Sequence, residues 1–150
     1  MLNDATSRPK RILFLCTGNY YRSRFAEIFF NWQAKRRGLA WTAQSRGLAL
    51  DGFNYGPISR HTVLRLKEQG IDADSDPRFP LAVQEADLAA ADHIVAVKEA
   101  EHRPLVEAKF PKWHDRVEYW HVHDLDCATP DAAMPLLENE VLRLLDRLAA

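Results

Sequence analysis

Cysteine is scarce in this chain of 150 residues, which contains only Cys16 and Cys127. The two are far apart, so the Cys-x-x-Cys spacing of zinc sites and dithiol redox motifs is absent. The first ten residues are polar and carry no secretory segment, and two cysteines in such a chain are typical of a reducing compartment. We therefore predict a cytoplasmic protein.

An excess of one charge and long apolar runs are also lacking. The chain has 20 basic and 21 acidic residues, a balance that gives no electrostatic case for a nucleic acid or a membrane surface as partner. No apolar run approaches the roughly 20 residues that span a bilayer. We predict one domain over residues 1–150, with residues 1–9 as a flexible N-terminal tail. The sequence does not indicate an oligomeric state.

Strand-like and helix-like segments alternate along the chain. The apolar run at 11–16 is typical of a strand buried on both faces, and an apolar stripe from Phe25 to Trp32 predicts a helix that ends at Gly38. Further strands are predicted at 41–45, 92–98 and 117–122, and further helices at 58–70, 81–91, 99–110 and 130–150. This alternation predicts an α/β fold: a single three-layer domain with a four-stranded, twisted parallel sheet and helices on both faces.

The stretch CTGNYYRS lies between the first predicted strand and the first helix. A loop at such a junction can turn backbone N–H groups inward in front of the helix N-terminus, which suits a dianionic phosphate. Gly18 and Asn19 tolerate backbone conformations that most residues avoid, and Arg22 offers a planar fork to two phosphate oxygens. With the hydroxyl of Ser23, these groups would stabilise a thiolate on Cys16. The pattern predicts a phosphate-binding loop after strand 1.

A lone cysteine at a strand end is more often a small buried apolar residue. Here, an arginine follows six positions later beside a serine, with glycine and asparagine between them. This combination favours a nucleophilic cysteine that attacks phosphorus in line while the amides and the guanidinium hold the equatorial oxygens.

The segment FLCTGNYYRSRFAE resembles the N-terminal signature of the low-molecular-weight protein tyrosine phosphatases. Weaker similarities continue along the chain. QSRG resembles the Ser-Ala-Gly segment after the family's second strand, AADHIVAV resembles its third strand, and HVHDLD falls where the family carries an aspartate in an Asp-Pro motif. The resemblance implies a cysteinyl-phosphate intermediate with neither a metal nor another cofactor. The substrate would be a phosphorylated protein or a small phosphoester, and phosphate, sulfate or vanadate would bind as ligands or inhibitors.

The resemblance also implies a role for individual residues. Cys16 would be the nucleophile, and Arg22 would bind phosphate and stabilise the transition state. Asn19 would hold the shape of the loop, Ser23 would hydrogen-bond to the sulfur, and Ser45 would brace Asn19 from strand two. The residues expected to bind substrate are Thr17, Gly18, Asn19, Tyr20, Tyr21 and Ser23.

Two positions of the loop depart from the family. Many relatives carry a second cysteine before the arginine, which protects the nucleophile by forming a disulfide. Tyr21 stands there in this chain, so this redox protection should be missing. The proline that usually follows the serine is Arg24 here, and we expect its charge beside the pocket to favour acidic substrates.

The family's Asp-Pro-Tyr-Tyr segment reads DLDCAT in this chain. Both tyrosines that would flank the substrate ring are gone, so the sequence supports phosphatase chemistry more directly than phosphotyrosine specificity. An aromatic wall could instead come from Tyr20 and Tyr21, or from Phe53 and Tyr55.

Asp124 and Asp126 both follow the fourth predicted strand, at the sheet edge that carries Cys16. A general acid placed there would protonate the leaving group, which typically contributes about 10²–10⁴-fold to the rate. We favour Asp124 because it stands closest to the strand end and best matches the family's position. Asp126 is the alternative.

The sequence thus predicts a phosphomonoester hydrolase, in particular a protein-tyrosine phosphatase. One alternative is a non-catalytic module that binds phosphate or a protein, since the flanking tyrosines are missing and Lys98 stands where the family often has an apolar residue. Another is an arsenate reductase, which shares the fold and the loop. That reaction needs further cysteines to relay a disulfide, and only Cys127 is available.

Overall fold

The computed structural model describes residues 9–50, 56–73, 78–122 and 129–149. Within these ranges, four strands form one parallel sheet in the order β2-β1-β3-β4, so β1 and β3 are its central strands. The elements are β1 (Lys10–Cys16), α1 (Arg22–Arg37), β2 (Trp41–Gly47), α2 (Arg60–Glu68), α3 (Glu85–Ala90), β3 (His93–Ala96), α4 (Glu99–Lys109), a 3-10 helix (Pro111–Arg116), β4 (Val117–Tyr119) and α5 (Pro130–Ala149). The predicted α/β class with a four-stranded parallel sheet is confirmed.

Strand β1 is buried on both of its faces, as its apolar sequence predicts. Successive side chains of a strand point to opposite faces. Phe14 and Cys16 accordingly join the cluster that packs under α1 and α5, whereas Leu13 and Leu15 join the cluster under α3 and α4. The sheet therefore has helices on both faces, and the cysteine belongs to the α1 side.

Helix α1 carries the predicted stop. Its last turn holds Lys35, Arg36 and Arg37, and Gly38 follows with a φ of 69° and donates its N–H to the end of the helix. Cationic side chains stabilise a helix C-terminus, and glycine adopts a positive φ without strain. The first helix thus ends where the sequence predicted.

The helix predicted at 81–91 is shorter than expected and begins at Glu85. The residues before it are held to β2, because Gly47 N–H donates to Leu81 O at 2.8 Å and Val83 N–H donates to Gly47 O at 2.9 Å. Gln84 and Asp87 then form a capping box that starts α3. Backbone pairing to the sheet edge thus replaces the first helical turn.

Across the described ranges, every helix is too short or too polar to cross a bilayer.

Glu118 connects β4 with β3 and α5. Its carboxylate lies 2.9 Å from His93 Nε2 and accepts hydrogen bonds from Arg147 at 2.6 and 3.1 Å and from Trp120 Nε1 at 2.6 Å. The hydrogen bond with His93, followed by those from Arg147 and Trp120, lowers the pKa of Glu118 against the opposing effect of burial.

This arrangement predicts a pH-dependent loss of stability. A carboxyl with a depressed pKa in the folded state stabilises the fold above its unfolded pKa of about 4.3, and this contribution disappears as the pH falls further. Glu118→Gln should therefore lower the melting temperature at neutral pH, and its difference from wild type should shrink below about pH 4.3. Thermal unfolding of both proteins on an acid pH series measures this. A difference that stays constant into the acid range would contradict it.

Candidate active site

Cys16 ends β1 and begins the loop that leads to α1. Its side chain is 3% exposed, and it is a free cysteine. The loop backbone is tied to the segment after β2, because Leu48 N–H donates to Cys16 O at 2.9 Å and Ala49 N–H donates to Thr17 O at 3.0 Å. The sulfur therefore stands at the carboxyl edge of the sheet, where parallel α/β sheets bind their ligands.

The register of this edge requires glycine at position 47. A Cβ on Gly47 would lie 2.8 Å from the carbonyl oxygen of Thr17 and 2.5 Å from the side chain of Leu50. The leucine can rotate away, but the carbonyl belongs to the loop backbone and cannot move without displacing it. Gly47 thus allows β2 to lie directly against the loop.

Ser23 places its hydroxyl 2.9 Å from the sulfur of Cys16. The same hydroxyl oxygen accepts a hydrogen bond from Asn19 Nδ2 at 3.0 Å. A serine hydroxyl has one proton to donate. The bond from Asn19 uses an acceptor site of the oxygen and leaves the hydroxyl able to donate its proton to the sulfur, which a thiolate, having no proton of its own, would require.

Asn19 has a left-handed backbone conformation, with a φ of 52°, of the kind that asparagine tolerates. Nδ2 donates to Ser23 and, at 2.9 Å, to Ser45, while Oδ1 accepts from Arg78 Nη1 at 2.9 Å and from the backbone N–H of Leu81 at 3.0 Å. Both amide protons and both lone pairs are thus used. A buried side chain with every hydrogen bond made holds the left-handed turn of the loop in place.

Arg22 is the first residue of α1, and it is 1% exposed. Nη1 donates to the carbonyl oxygen of Val122 at 2.9 Å, and Nη2 donates to the carboxylate of Glu101 at 2.9 Å. Contacts from the segment after β4 and from α4 thus fix the guanidinium beside the loop. A planar guanidinium anchored in this way can present its edge to an oxyanion bound in the loop.

Glu101 and His102, in the first turns of α4, belong to the site but were not predicted. The same oxygen of Glu101, Oε2, accepts hydrogen bonds from Arg22 and from the hydroxyl of Thr17, and it lies 3.2 Å from His102 Nε2. The hydrogen bond with His102, followed by those from Thr17 and Arg22, holds the pKa of Glu101 well below its usual range, against the effect of burial. The available signal was a Glu-His pair at the start of the helix after β3, at the same sheet edge as Cys16.

A second charged group missed by the sequence analysis lies behind Asn19. Arg78 donates from Nη2 to Glu27 at 3.1 Å and to the carbonyl and hydroxyl oxygens of Ser45, each at 3.0 Å. Burial lowers the pKa of Arg78, while the charge of Glu27 opposes this. Ser45 therefore contacts Asn19 as the resemblance implies, within a network that also includes an arginine from outside the loop.

Arg24 corrects one expectation. Its side chain is fully buried and donates to Glu27 at 3.1 Å. Its charge is therefore paired with a carboxylate inside the protein and does not lie beside the pocket. The expectation that Arg24 favours acidic substrates is therefore wrong. The carboxylate three residues later in the same helix was the signal for this pairing, because residues i and i+3 are neighbours on a helix.

The two loop tyrosines are placed differently. Tyr21 is 6% exposed and belongs to the core cluster, where its ring meets that of His61 at 6.2 Å between centroids. Its ring is therefore part of the core and does not form a substrate wall. Tyr20 is partly exposed, and its contact with substrate stays a prediction.

Several predicted residues lie outside the described ranges. Asp124 and Asp126, the two candidate acids, are among them, as are Phe53 and Tyr55 of the alternative aromatic wall. Cys127 also falls there.

Comparisons with known proteins identify relatives. A model of the low molecular weight phosphotyrosine protein phosphatase family matches residues 11–136. The protein-arginine-phosphatase of Bacillus subtilis is 32% identical over 106 residues, which are 71% of this chain and 67% of that protein. An arsenate reductase of Bacillus licheniformis is 38% identical over 82 residues, 53% of each chain. The crystal structure of a low molecular weight protein tyrosine phosphatase from T. tengcongensis has a TM-score of 0.77 and 26% identity, and the match covers 92% of this chain and 99% of that one.

The parallel sheet with a cysteine–arginine loop at its carboxyl edge is the arrangement of the cysteine-based phosphatases, which arsenate reductases share, and the family match places this chain among the phosphatases. Since the family model matches most of its length, the chain belongs to the low molecular weight phosphotyrosine protein phosphatase family. The predicted resemblance and the prediction of a phosphatase are both confirmed.

Proposed function

We propose that this protein hydrolyses phosphorylated side chains of proteins, with phosphotyrosine as the first candidate, through a phosphorylated Cys16. The single observation that carries the proposal is the Ser23 hydroxyl, which lies 2.9 Å from the sulfur with its proton free to point at it. A cysteine packed as an ordinary core residue would not need a buried hydroxyl donor. Arg22 adds a fixed positive charge beside the same loop.

In the first step, the Cys16 thiolate attacks phosphorus, an S–P bond forms, and the bond from phosphorus to the leaving oxygen breaks. Charge builds on the equatorial phosphoryl oxygens, where Arg22 and the backbone N–H groups of residues 17–22 stabilise it. The leaving oxygen takes a proton from a carboxylic acid, for which we propose Asp124. Asp124 follows Val122 by two positions in the sequence, and the carbonyl of Val122 contacts Arg22.

In the second step, water attacks the phosphorus of the cysteinyl phosphate and the S–P bond breaks. The aspartate, now a carboxylate, takes the proton from this water. Ser23 donates to the departing sulfur and stabilises it as a thiolate. Because Cys16 must be a free thiol at the start of each cycle, we propose that the protein works in a reducing compartment such as the cytoplasm.

The rival functions give different results in one set of assays. Wild-type protein should hydrolyse p-nitrophenyl phosphate without added metal, and vanadate should inhibit it. Parallel assays with a phosphotyrosine peptide and a phosphoarginine peptide rank the two substrate classes, since one relative is a protein-arginine-phosphatase. Phosphate binding without turnover of any of these would identify a non-catalytic module. Reduction of arsenate that depends on Cys127 would instead identify a reductase.

The proposed acid has its own test. Asp124→Asn should slow hydrolysis of an alkyl or unactivated aryl phosphate by about 10²-fold or more, because the leaving oxygen then lacks a proton donor. Hydrolysis of p-nitrophenyl phosphate should suffer far less, since its leaving group departs readily without a proton. Asp126→Asn is the matched control and should leave the ratio of the two rates near that of wild type. If Asp126→Asn changes this ratio and Asp124→Asn does not, the assignment belongs to Asp126.

A further inference from the structure

One carboxylate oxygen outside the loop accepts hydrogen bonds from residues near both ends of the loop, an arrangement that we call the clasp. Glu101 Oε2 accepts from the hydroxyl of Thr17, the residue after the nucleophile, and from Nη2 of Arg22 at 2.9 Å. These two donors stand near opposite ends of the loop, five positions apart in sequence. One oxygen on α4 therefore sets the separation of the two sides of the loop.

His102 holds this carboxylate in place. It is fully buried, and its Nδ1 accepts the backbone N–H of Lys98 at 3.0 Å. That bond assigns the ring proton to Nε2, which lies 3.2 Å from both the Thr17 hydroxyl and Glu101 Oε2. Because the ring is enclosed and its tautomer is fixed, the oxygen of Glu101 has a defined position relative to the loop.

We propose that Glu101 is a positioning residue, which orients the guanidinium of Arg22 for the transition state through the clasp on Thr17. The inference rests on the function proposed above. Arg22 stabilises charge that develops on the phosphoryl oxygens, and such stabilisation depends on a donor that is already aimed before the reaction. Loss of the clasp should therefore lower kcat more than it raises KM, since the ground-state phosphate tolerates a less exact guanidinium.

The carboxylate also carries charge. Its negative charge stands beside a site for a dianion, so it should weaken binding of the product phosphate, and a neutral acceptor in the same place should bind that product more tightly. Glutamine at this position retains an oxygen of the same reach and loses the charge. The substitutions Glu101→Ala and Glu101→Gln thus separate the geometry of the clasp from its charge.

The test measures kcat, KM and the inhibition constant of inorganic phosphate, with p-nitrophenyl phosphate as substrate. Glu101→Ala should lower kcat by about tenfold or more, whereas Glu101→Gln should retain kcat within a few-fold of wild type and bind phosphate more tightly. The control is Glu99→Ala, which removes a carboxylate of the same helix that pairs with Arg103 at 2.8 Å. It should match wild type. Melting temperatures should show that each variant is folded.

The results separate this inference from the one on which it rests. Absence of wild-type turnover refutes the proposed function, whatever the variants do. Normal wild-type turnover together with a kcat of Glu101→Ala close to that of wild type, or with equal losses in the alanine and glutamine variants, refutes the clasp alone. If Glu101→Ala does not fold, Thr17→Val tests the same contact, because it removes the hydroxyl and keeps the side-chain shape. It should lower kcat by a few-fold, and an unchanged kcat would overturn the proposal.

Discussion

Cys16→Ser should abolish turnover of p-nitrophenyl phosphate while leaving a protein that still binds inorganic phosphate. The serine hydroxyl is a far weaker acid than a thiol, so the hydrogen bond from Ser23 cannot hold it as an anion at neutral pH. We expect a fall in kcat on the order of 10⁴-fold or more, as for the loss of other essential nucleophiles. Phosphate binding should survive, because the other loop residues and Arg22 are unchanged. Steady-state kinetics and titration calorimetry with phosphate measure the two properties.

The other cysteine of the chain supplies the control for this variant. Cys127→Ser should keep most of the turnover, since the proposed reaction uses one sulfur. Acid quenching of wild type during turnover should trap one phosphoryl group on the protein, detectable by intact mass, and Cys127→Ser should trap it equally. Turnover near the wild-type level in Cys16→Ser would defeat the mechanism, and loss of turnover in Cys127→Ser would favour a disulfide relay.

The central part of this site could be predicted because it is local in sequence. A buried strand, a loop with glycine and asparagine, and a helix that begins at an arginine all fall within the segment from Ile12 to Phe30. Each signal there is short-range: apolar residues for the strand, a residue that tolerates positive φ at Asn19, and a helical apolar stripe. The register of the parallel sheet then brings Ser45 to Asn19, as the resemblance implied.

The charged residues around the loop could not be predicted, because their partners are distant in sequence. Glu101 meets Arg22, and Arg78 meets Asn19, only after β3 and the segment before α3 have been placed at the sheet edge. From sequence alone, Glu101 and Arg78 would each be predicted to be an ordinary charged residue on the surface. A long side chain gains a partner through the tertiary arrangement, and spacing along the chain carries no information about that arrangement.

For Arg24 and for the residues before α3, a short-range sequence signal gave the wrong prediction because a tertiary contact determined the structure. Arg24 reads as an exposed charge, yet packing of the first turn of α1 against the sheet buries it with Glu27. The apolar run that starts at Leu81 reads as the start of a helix, but its backbone pairs with Gly47 instead. In both cases, an edge or a face of the sheet supplied the partner, and local sequence preferences contain no information about such tertiary contacts.

Arg22→Lys should be nearly as damaging as loss of the nucleophile, although the charge is conserved. The guanidinium makes two anchoring contacts at once, from Nη1 to Val122 and from Nη2 to Glu101, and in the proposed transition state the same planar group must also hold phosphoryl oxygens. Lysine has one nitrogen at the end of a flexible chain, so it cannot span both anchors and the phosphate. We expect kcat to fall by about 10³-fold, with a smaller loss in phosphate affinity because the positive charge remains.

The matched control is Arg37→Lys in the last turn of the same helix, where the arginine pairs with Asp146 at 2.8 Å on the surface. That variant should keep wild-type kinetics, because an exposed ion pair contributes little and does not depend on the planar fork. Values of kcat, KM and the phosphate inhibition constant for both variants decide the matter. A fall in kcat of less than about tenfold in Arg22→Lys would mean that Arg22 acts as a point charge. In that case, the anchoring of its guanidinium by Val122 and Glu101 would have no catalytic consequence.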